Sequence, residues 1–224
     1  MTTLAPDLVE LAHANSRFEG ADADAIVRWA ADRFGDGLAY TCSFEDSVLI
    51  DIIARVAPST EIILLDTQYL HAETLWFADE LRRRYDLNLR IVRPLDDVVR
   101  DNLWSTDVEG CCAARKVEPL RRALEGKTAW ITGVRRAESP TRSNSPIVSW
   151  EPTRSVVKIN PLAAWTDDHV ATYGVVRELL QHPLRDKGYP SIGCWPCTRP
   201  VSPGEDPRAG RWAGQAKTEC GLHV

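Results

Sequence analysis

The chain has 224 residues, 44% of them hydrophobic and 26% charged, and a formal net charge of −5. That composition excludes a disordered or fibrous protein and suits one domain with a sizeable core. The acidic balance argues against a general nucleic-acid binder, no apolar run is long enough to cross a membrane, and the first residues lack the basic-then-apolar pattern of an export signal.

The expectation is therefore a cytoplasmic protein with neither nucleic acid nor membrane as partner. Thiols stay reduced there, and grouped cysteines hold metal or do chemistry rather than form disulfides. In chain order, the first thirty-odd residues read as helical, with Ile26, Val27, Ala30 and Phe34 near helical spacing. Strand then alternates with helix. "LAYTCS" (38–43), "EIILLD" (61–66), "LRIVRP" (89–94) and "AWITGV" (129–134) are short apolar runs of the kind buried on both faces of a sheet. "FEDSVLIDIIARVAP" and "HAETLWFADELRRRYD" lie between them as helices. The fold class is α/β, a parallel twisted sheet flanked by helices, whose ligands collect at the carboxyl ends of the strands.

Cys111 and Cys112 then stand side by side in "GCCAARKVEPL". A disulfide between neighbours is strained. Further on come a hairpin, "IVSW" and "SVVKI" around "EPTR", and a helix over 166–181 with Thr166 as its N-cap. "SIGCWPCTRP" supplies a second pair, Cys194 and Cys197. Four thiolates in two pairs suit a structural zinc or an iron–sulfur cluster. Adjacent cysteines fit the separate corners of a [4Fe–4S] cube more naturally than a single ion. Cys42 alone reads as a small buried apolar residue.

Residues 198–216 hold Pro200, Pro203 and Pro207 among glycines. The division expected is a nucleotide-binding domain over 1–197, cysteine site included, and a mobile tail over 198–224. Cys220, near the end of "KTECGLHV", has Lys217 and His223 close by, which favour a thiolate, and Glu219, which opposes one.

Together, "GCCAARKVEPL", "GYPSIGCWPCTRPV", "GEDPRAGRW" and "KTECGLHV" resemble the assimilatory adenylyl-sulfate (APS) reductases, the iron–sulfur branch of the APS/PAPS reductase family. "LDTQYLHAETL", "ITGVRRAESPTRS" and "KINPLAAWTDDHV" match further blocks, so the resemblance runs from about Tyr40 to Val224. It implies an adenine-nucleotide α-hydrolase-like (Rossmann-like) sheet and reduction of APS to sulfite and AMP in sulfate assimilation toward cysteine. Cys220 would be the nucleophile, forming an S-sulfocysteine that thioredoxin or a glutaredoxin-like donor resolves. Cys111, Cys112, Cys194 and Cys197 would hold a [4Fe–4S] cluster.

APS joins a sulfate to a phosphate, so its site needs cations, and the planar arginine fork suits both groups. Candidates are Lys116, Arg135, Arg136 and Arg142, with Arg208 and Arg211 from the tail and His223 beside Cys220. Gly133 belongs to the same block as Arg135. "CSFEDSV" (42–48) sits where a related fold carries a glycine-rich pyrophosphate loop. Phe44 and Glu45 there would add bulk and negative charge near the phosphates, leaving Ser43 to hold a single phosphate. Leu65, Asp66 and Thr67 end a strand, where they border adenine or ribose or simply cap the turn. The cluster's expected role is electrostatic, with Lys116 near it shaping the field at the sulfate. Three alternatives stay open at this stage: a PAPS reductase, an ATP-pyrophosphatase-type enzyme and a zinc-stapled binding module. Self-association is open too.

Overall fold

The computed structural model describes residues 7–214 together with Lys217, Glu219, Gly221 and Leu222. Cys220 and His223 lie outside the described residues. Helix α1 (Leu8–Phe18) starts where the Asp7 carboxylate accepts from the backbone N–H groups of Val9 and Glu10. Helix α2 (Ala23–Phe34) buries Ala23, Ile26, Val27 and Ala30 on one face. Then β1 (Leu38–Cys42), α3 (Val48–Val56), β2 (Glu61–Leu65), α4 (Ala72–Tyr85) and β3 (Leu89–Val92) alternate as the apolar runs predict.

A helical stretch follows: α5 (Leu103–Thr106), α6 (Val108–Cys112), a π turn over Ala113–Val117 and α7 (Glu118–Ala123). The π turn lies just ahead of Pro119, whose ring has no N–H to donate and crowds the carbonyl four residues back. After β4 (Ala129–Ile131) come the expected hairpin, β5 (Val148–Glu151) and β6 (Val156–Ile159), and helix α8 (Asp167–Val176). Thr166 caps α8 by accepting from the His169 N–H at 3.2 Å. The helix stops five residues short of the predicted 181, because Glu178 takes a left-handed φ of 51° and turns the chain inward, burying Leu179.

The sheet has six strands in the order β3-β2-β1-β4-β6-β5, all parallel except β5. Strand order reverses between β1 and β4, and a crevice opens beyond their carboxyl ends. β1, β2 and β4 are covered on both faces. Tyr40 and Cys42 face the larger core cluster, and Ala39 faces a smaller one with Ile63, Leu120 and Trp130. β3 is the departure from that expectation: it is an edge strand, and Arg90 and Ile91 are exposed. Among the described residues no helix is long and apolar enough to cross a membrane.

Candidate active site

A cavity of about 180 Å³ lies in the crevice. β1 and the residue after it contribute Tyr40 to Ser43, β2 and the turn after it contribute Leu64, Leu65 and Thr67, and β4 is followed by the lining stretch Thr132 to Arg135, which includes Gly133. The loop from Ser43 to α3 folds differently from its sequence reading. Phe44 is fully buried in the larger core at a left-handed φ of 54°, so its bulk points away from the cavity. It holds the conformation a glycine adopts freely. Glu45 does line the cavity and accepts from the Ile192 N–H at 3.3 Å.

Lys116, Arg135, Arg142, Arg208 and Arg211 line the cavity, against the acids Glu45, Asp46 and Glu138. The local balance is basic in an acidic protein. Burial, and then the like charges of Arg142 and Arg211, pull Arg208 below its ordinary pKa. Cations so crowded favour an anion between them. Arg135 pairs with Asp167 at 2.8 Å, and Arg142 pairs with Glu138 and Glu219. Arg211 donates to Ser191 Oγ at 3.1 Å and to the Ile192 carbonyl at 3.3 Å, while its buried Nε meets no partner among the described residues. Its guanidinium lies 2.5 Å from where a Cβ on Gly193 would stand, so that position admits only glycine while Arg211 is seated.

Two candidates sit elsewhere. Arg136 grips both carboxylate oxygens of Glu19, at 2.5 and 3.0 Å, and donates to the Ser145 carbonyl, fastening the end of α1 to the stretch between β4 and β5. Asp66 turns from the cavity to pair with Arg93 at 3.0 Å and accepts from the Gln68 N–H, which builds the turn after β2.

The two cysteine pairs meet. Cys111, Cys112, Cys194 and Cys197 line a second, smaller cavity with Thr67, Tyr69, Trp104, Arg115, Lys116, Pro196 and Trp212. The C-x-x-C turn is docked on the β2 loop. Trp195 N–H donates to the Tyr69 carbonyl at 2.8 Å, and Thr67 Oγ1 lies 3.2 Å from Cys194 Sγ. Arg115 is buried, donates to Gln68 Oε1 at 2.9 Å and stacks over Tyr69 at 4.5 Å. Trp195 sits half-exposed, edge-on to Trp104 and Tyr69.

The four thiols feel one another. Burial first, and then Cys194, push the Cys197 thiol up to about 11, while Lys116 pulls it down. Burial raises Cys111, with Cys112 and Cys194 adding to it and Arg115 and Lys116 opposing. A cation among the sulfurs would reverse that direction. Among the described residues no group of three His, Cys, Asp or Glu side chains is arranged to hold a metal ion, while the four thiols all line the smaller cavity. Such an all-sulfur set fits a sulfur-bridged cluster. Cys42 stands apart, its thiol pushed up by burial to about 12.

Lys116, Thr67, Cys194 and Trp212 line both cavities. The tail covers them in part. Trp212 is buried, its N–H donating to the Cys197 carbonyl at 2.9 Å. Gly221 takes a φ of 76°, and Leu222 packs against the smaller core cluster. The sequence reading missed Gly193, Arg115, Trp212 and Leu222. Gly193 carries no signal of its own in the sequence, since the group it makes room for, Arg211, lies far along the chain.

Comparison with known proteins gives concordant results. Residues 37–200 match the phosphoadenosine phosphosulfate reductase domain. The adenosine 5'-phosphosulfate reductase of Mycolicibacterium smegmatis is 43% identical, over 100% of this chain and 98% of that protein. Among solved structures, the phosphoadenylyl-sulfate reductase of Candida auris, determined as a phosphate complex, superposes with a TM-score of 0.78 at 26% identity. The match covers 88% of this chain and 100% of that one. FMN adenylyltransferase of Candida glabrata reaches a TM-score of 0.60 at 13% identity, over 88% of this chain and 69% of that one, a likeness of fold.

Proposed function

The chain belongs to the APS/PAPS reductase family, and on that premise we propose that it reduces APS to sulfite and AMP in sulfate assimilation. The observation that carries this reading is one cavity at the strand ends, lined by Lys116, Arg135, Arg142, Arg208 and Arg211, which touches the four-cysteine cavity through Lys116. Adenosine fits the apolar part between β1, β2 and β4, where Leu49, Leu64, Leu65 and Leu162 lie. The phosphate and sulfate face the cations, whose fixed donors stabilise charge gathering on the leaving phosphate.

In the proposed reaction the Cys220 thiolate attacks the sulfate sulfur. A sulfur–sulfur bond forms, the bond from sulfur to the bridging oxygen breaks, and AMP leaves with that electron pair. A reduced thioredoxin-like dithiol then attacks Cys220 Sγ, and sulfite leaves with the pair from the broken sulfur–sulfur bond. The second thiol of the donor closes its disulfide and frees Cys220. The donor supplies both electrons, as a reducing cytoplasmic compartment allows. Cys111, Cys112, Cys194 and Cys197 would hold the [4Fe–4S] cluster, which when bound supplies a fixed field beside the sulfate. The tail would lift to present Cys220 to the donor and settle again.

The test is an anaerobic preparation assayed for iron, acid-labile sulfide and APS-dependent sulfite release. Incubation with APS, with reductant withheld, should leave a sulfo group on the peptide that contains Cys220. An unmodified C-terminal peptide overturns the reading.

A further inference from the structure

The tail residue before Cys220 holds a position that neither its sequence nor the family reading assigns. Glu219 accepts hydrogen bonds from Arg142 Nε at 2.8 Å and from a terminal Arg142 nitrogen at 2.7 Å. It also accepts from Thr141 Oγ1 at 3.1 Å and pairs with Arg208 at 3.7 Å. Burial works to raise the Glu219 carboxyl, but the Arg142 hydrogen bonds and the charges of Arg142 and Arg208 outweigh it and hold it ionised. Arg142 and Arg208 line the cavity, and the Glu219 carboxylate contacts both of them. Two residues earlier, the buried Lys217 ammonium pairs with Glu109 on α6, two positions before the cysteine pair.

We propose that Glu219 is a positioning residue. Its carboxylate ties the segment that bears Cys220 to the two cations meant for the substrate, while Lys217 ties the same segment to the cysteine-pair helix. Docking of the tail and orientation of the anion site are then one event. Neutralising Glu219 loosens the tail and lets Arg142 and Arg208 drift. The proposal rests on the function given above for Cys220 and the arginines. It also answers the charge expected to oppose the thiolate, since the negative charge of Glu219 is shared between Arg142 and Arg208.

The experiment uses anaerobically purified holoenzyme carrying Glu219→Gln, which keeps the shape, or Glu219→Asp, which keeps the charge. Limited trypsin digestion reads the latch directly, because the Lys217 side chain is buried in its ion pair. Cleavage after Lys217 should run about tenfold faster in Glu219→Gln, the scale of one lost charge-assisted hydrogen bond. In single turnover at saturating APS, sulfo-adduct formation should slow by a similar factor, about tenfold, with Glu219→Asp in between. Iron content should hold, which a merely structural defect would not spare, and AMP affinity should fall by less than the adduct rate, because Lys116, Arg135 and Arg211 still line the cavity. Unchanged cleavage and unchanged adduct rate in Glu219→Gln overturn the proposal, as does a loss of AMP affinity that matches the loss of rate. If the wild-type protein forms no adduct at all, the function reading fails, and the digestion alone decides the latch.

Discussion

Gly193→Ala is the substitution whose effect can be worked most directly. A methyl at 193 would lie 2.5 Å from a terminal nitrogen of Arg211, 2.7 Å from its Cζ and 3.0 Å from its Nε. Those atoms end a flexible side chain, so the backbone survives and the guanidinium leaves. Arg211 then gives up its hydrogen bonds to Ser191 and Ile192 and its stack 4.7 Å over Trp212. Two such bonds and one cation–π contact come to about 2 kcal/mol, hence a melting point lower by about 4–8 °C. A charged donor is also withdrawn from the cavity. One hydrogen bond from a charged group to the substrate anion contributes about 1.5–3 kcal/mol, so KM for APS should rise about 10- to 150-fold. Steady-state kinetics and thermal melts of four proteins, the wild type, Gly193→Ala, Arg211→Ala and the double variant, form a cycle. In the Arg211→Ala background the steric conflict is gone, and Gly193→Ala should be close to neutral. An equal cost in both backgrounds would refute the claim that Gly193 exists to seat Arg211.

Lys116→Ala should lower turnover while iron and labile sulfide stay at wild-type levels, because Lys116 faces both cavities without being a sulfur ligand; unchanged turnover at equal iron would remove its role. Cys197→Ser should bleach the cluster absorbance and abolish most activity, and full iron and sulfide would take Cys197 off the ligand set. Gly221→Ala puts a side chain at a φ of 76°, a strain of about 1 kcal/mol, and should speed tryptic cleavage after Lys217 without affecting AMP binding. His182 sits buried against Phe77 and Thr74. Its pKa is lowered to about 4 by burial first, and then by the charges of Arg185 and His71. The unfolded chain takes up that proton from about pH 6.5. Stability from the neutral ring is therefore complete above that pH and drains as pH falls from there toward 4. Melting points of wild type and His182→Gln, compared at pH 7.5 and pH 5, should show the smaller drop in the variant.

What was legible in the sequence follows from what periodicity and spacing encode. The apolar runs at 38–43, 61–66 and 129–134 declare strands covered on both sides, and they became β1, β2 and β4. β3 reads the same way in sequence because Leu89 and Val92 are apolar, yet its place at the sheet edge depends on topology, which a local window does not contain. Phe44 shows the same limit. The side chain was legible as bulk, but its direction depends on a left-handed φ, and that sends it into the core. Arg135 and Arg136 are neighbours with identical chemistry. Only the fold separates them, one beside the cavity and the other on Glu19. Gly193 and Arg211 are eighteen positions apart, and their mutual dependence is a contact that neither residue type announces.

The tail's chemistry suits the two steps proposed for it. Apolar anchors resist release, because their burial gains free energy continuously with area. Ion pairs behave otherwise. Their attraction when docked is offset by the hydration each partner recovers on release, so the net hold is modest while the docked geometry is specific. Of the described residues in 217–222, Lys217 and Glu219 make charged contacts, Gly221 supplies a turn, and Leu222 alone packs its side chain against a core cluster. In the proposed cycle, a segment held that way settles in one register beside the cations and can be lifted when the donor competes for it. In that cycle, a tail fastened by several buried leucines would resist release and hold Cys220 out of the donor's reach after the proposed sulfur transfer.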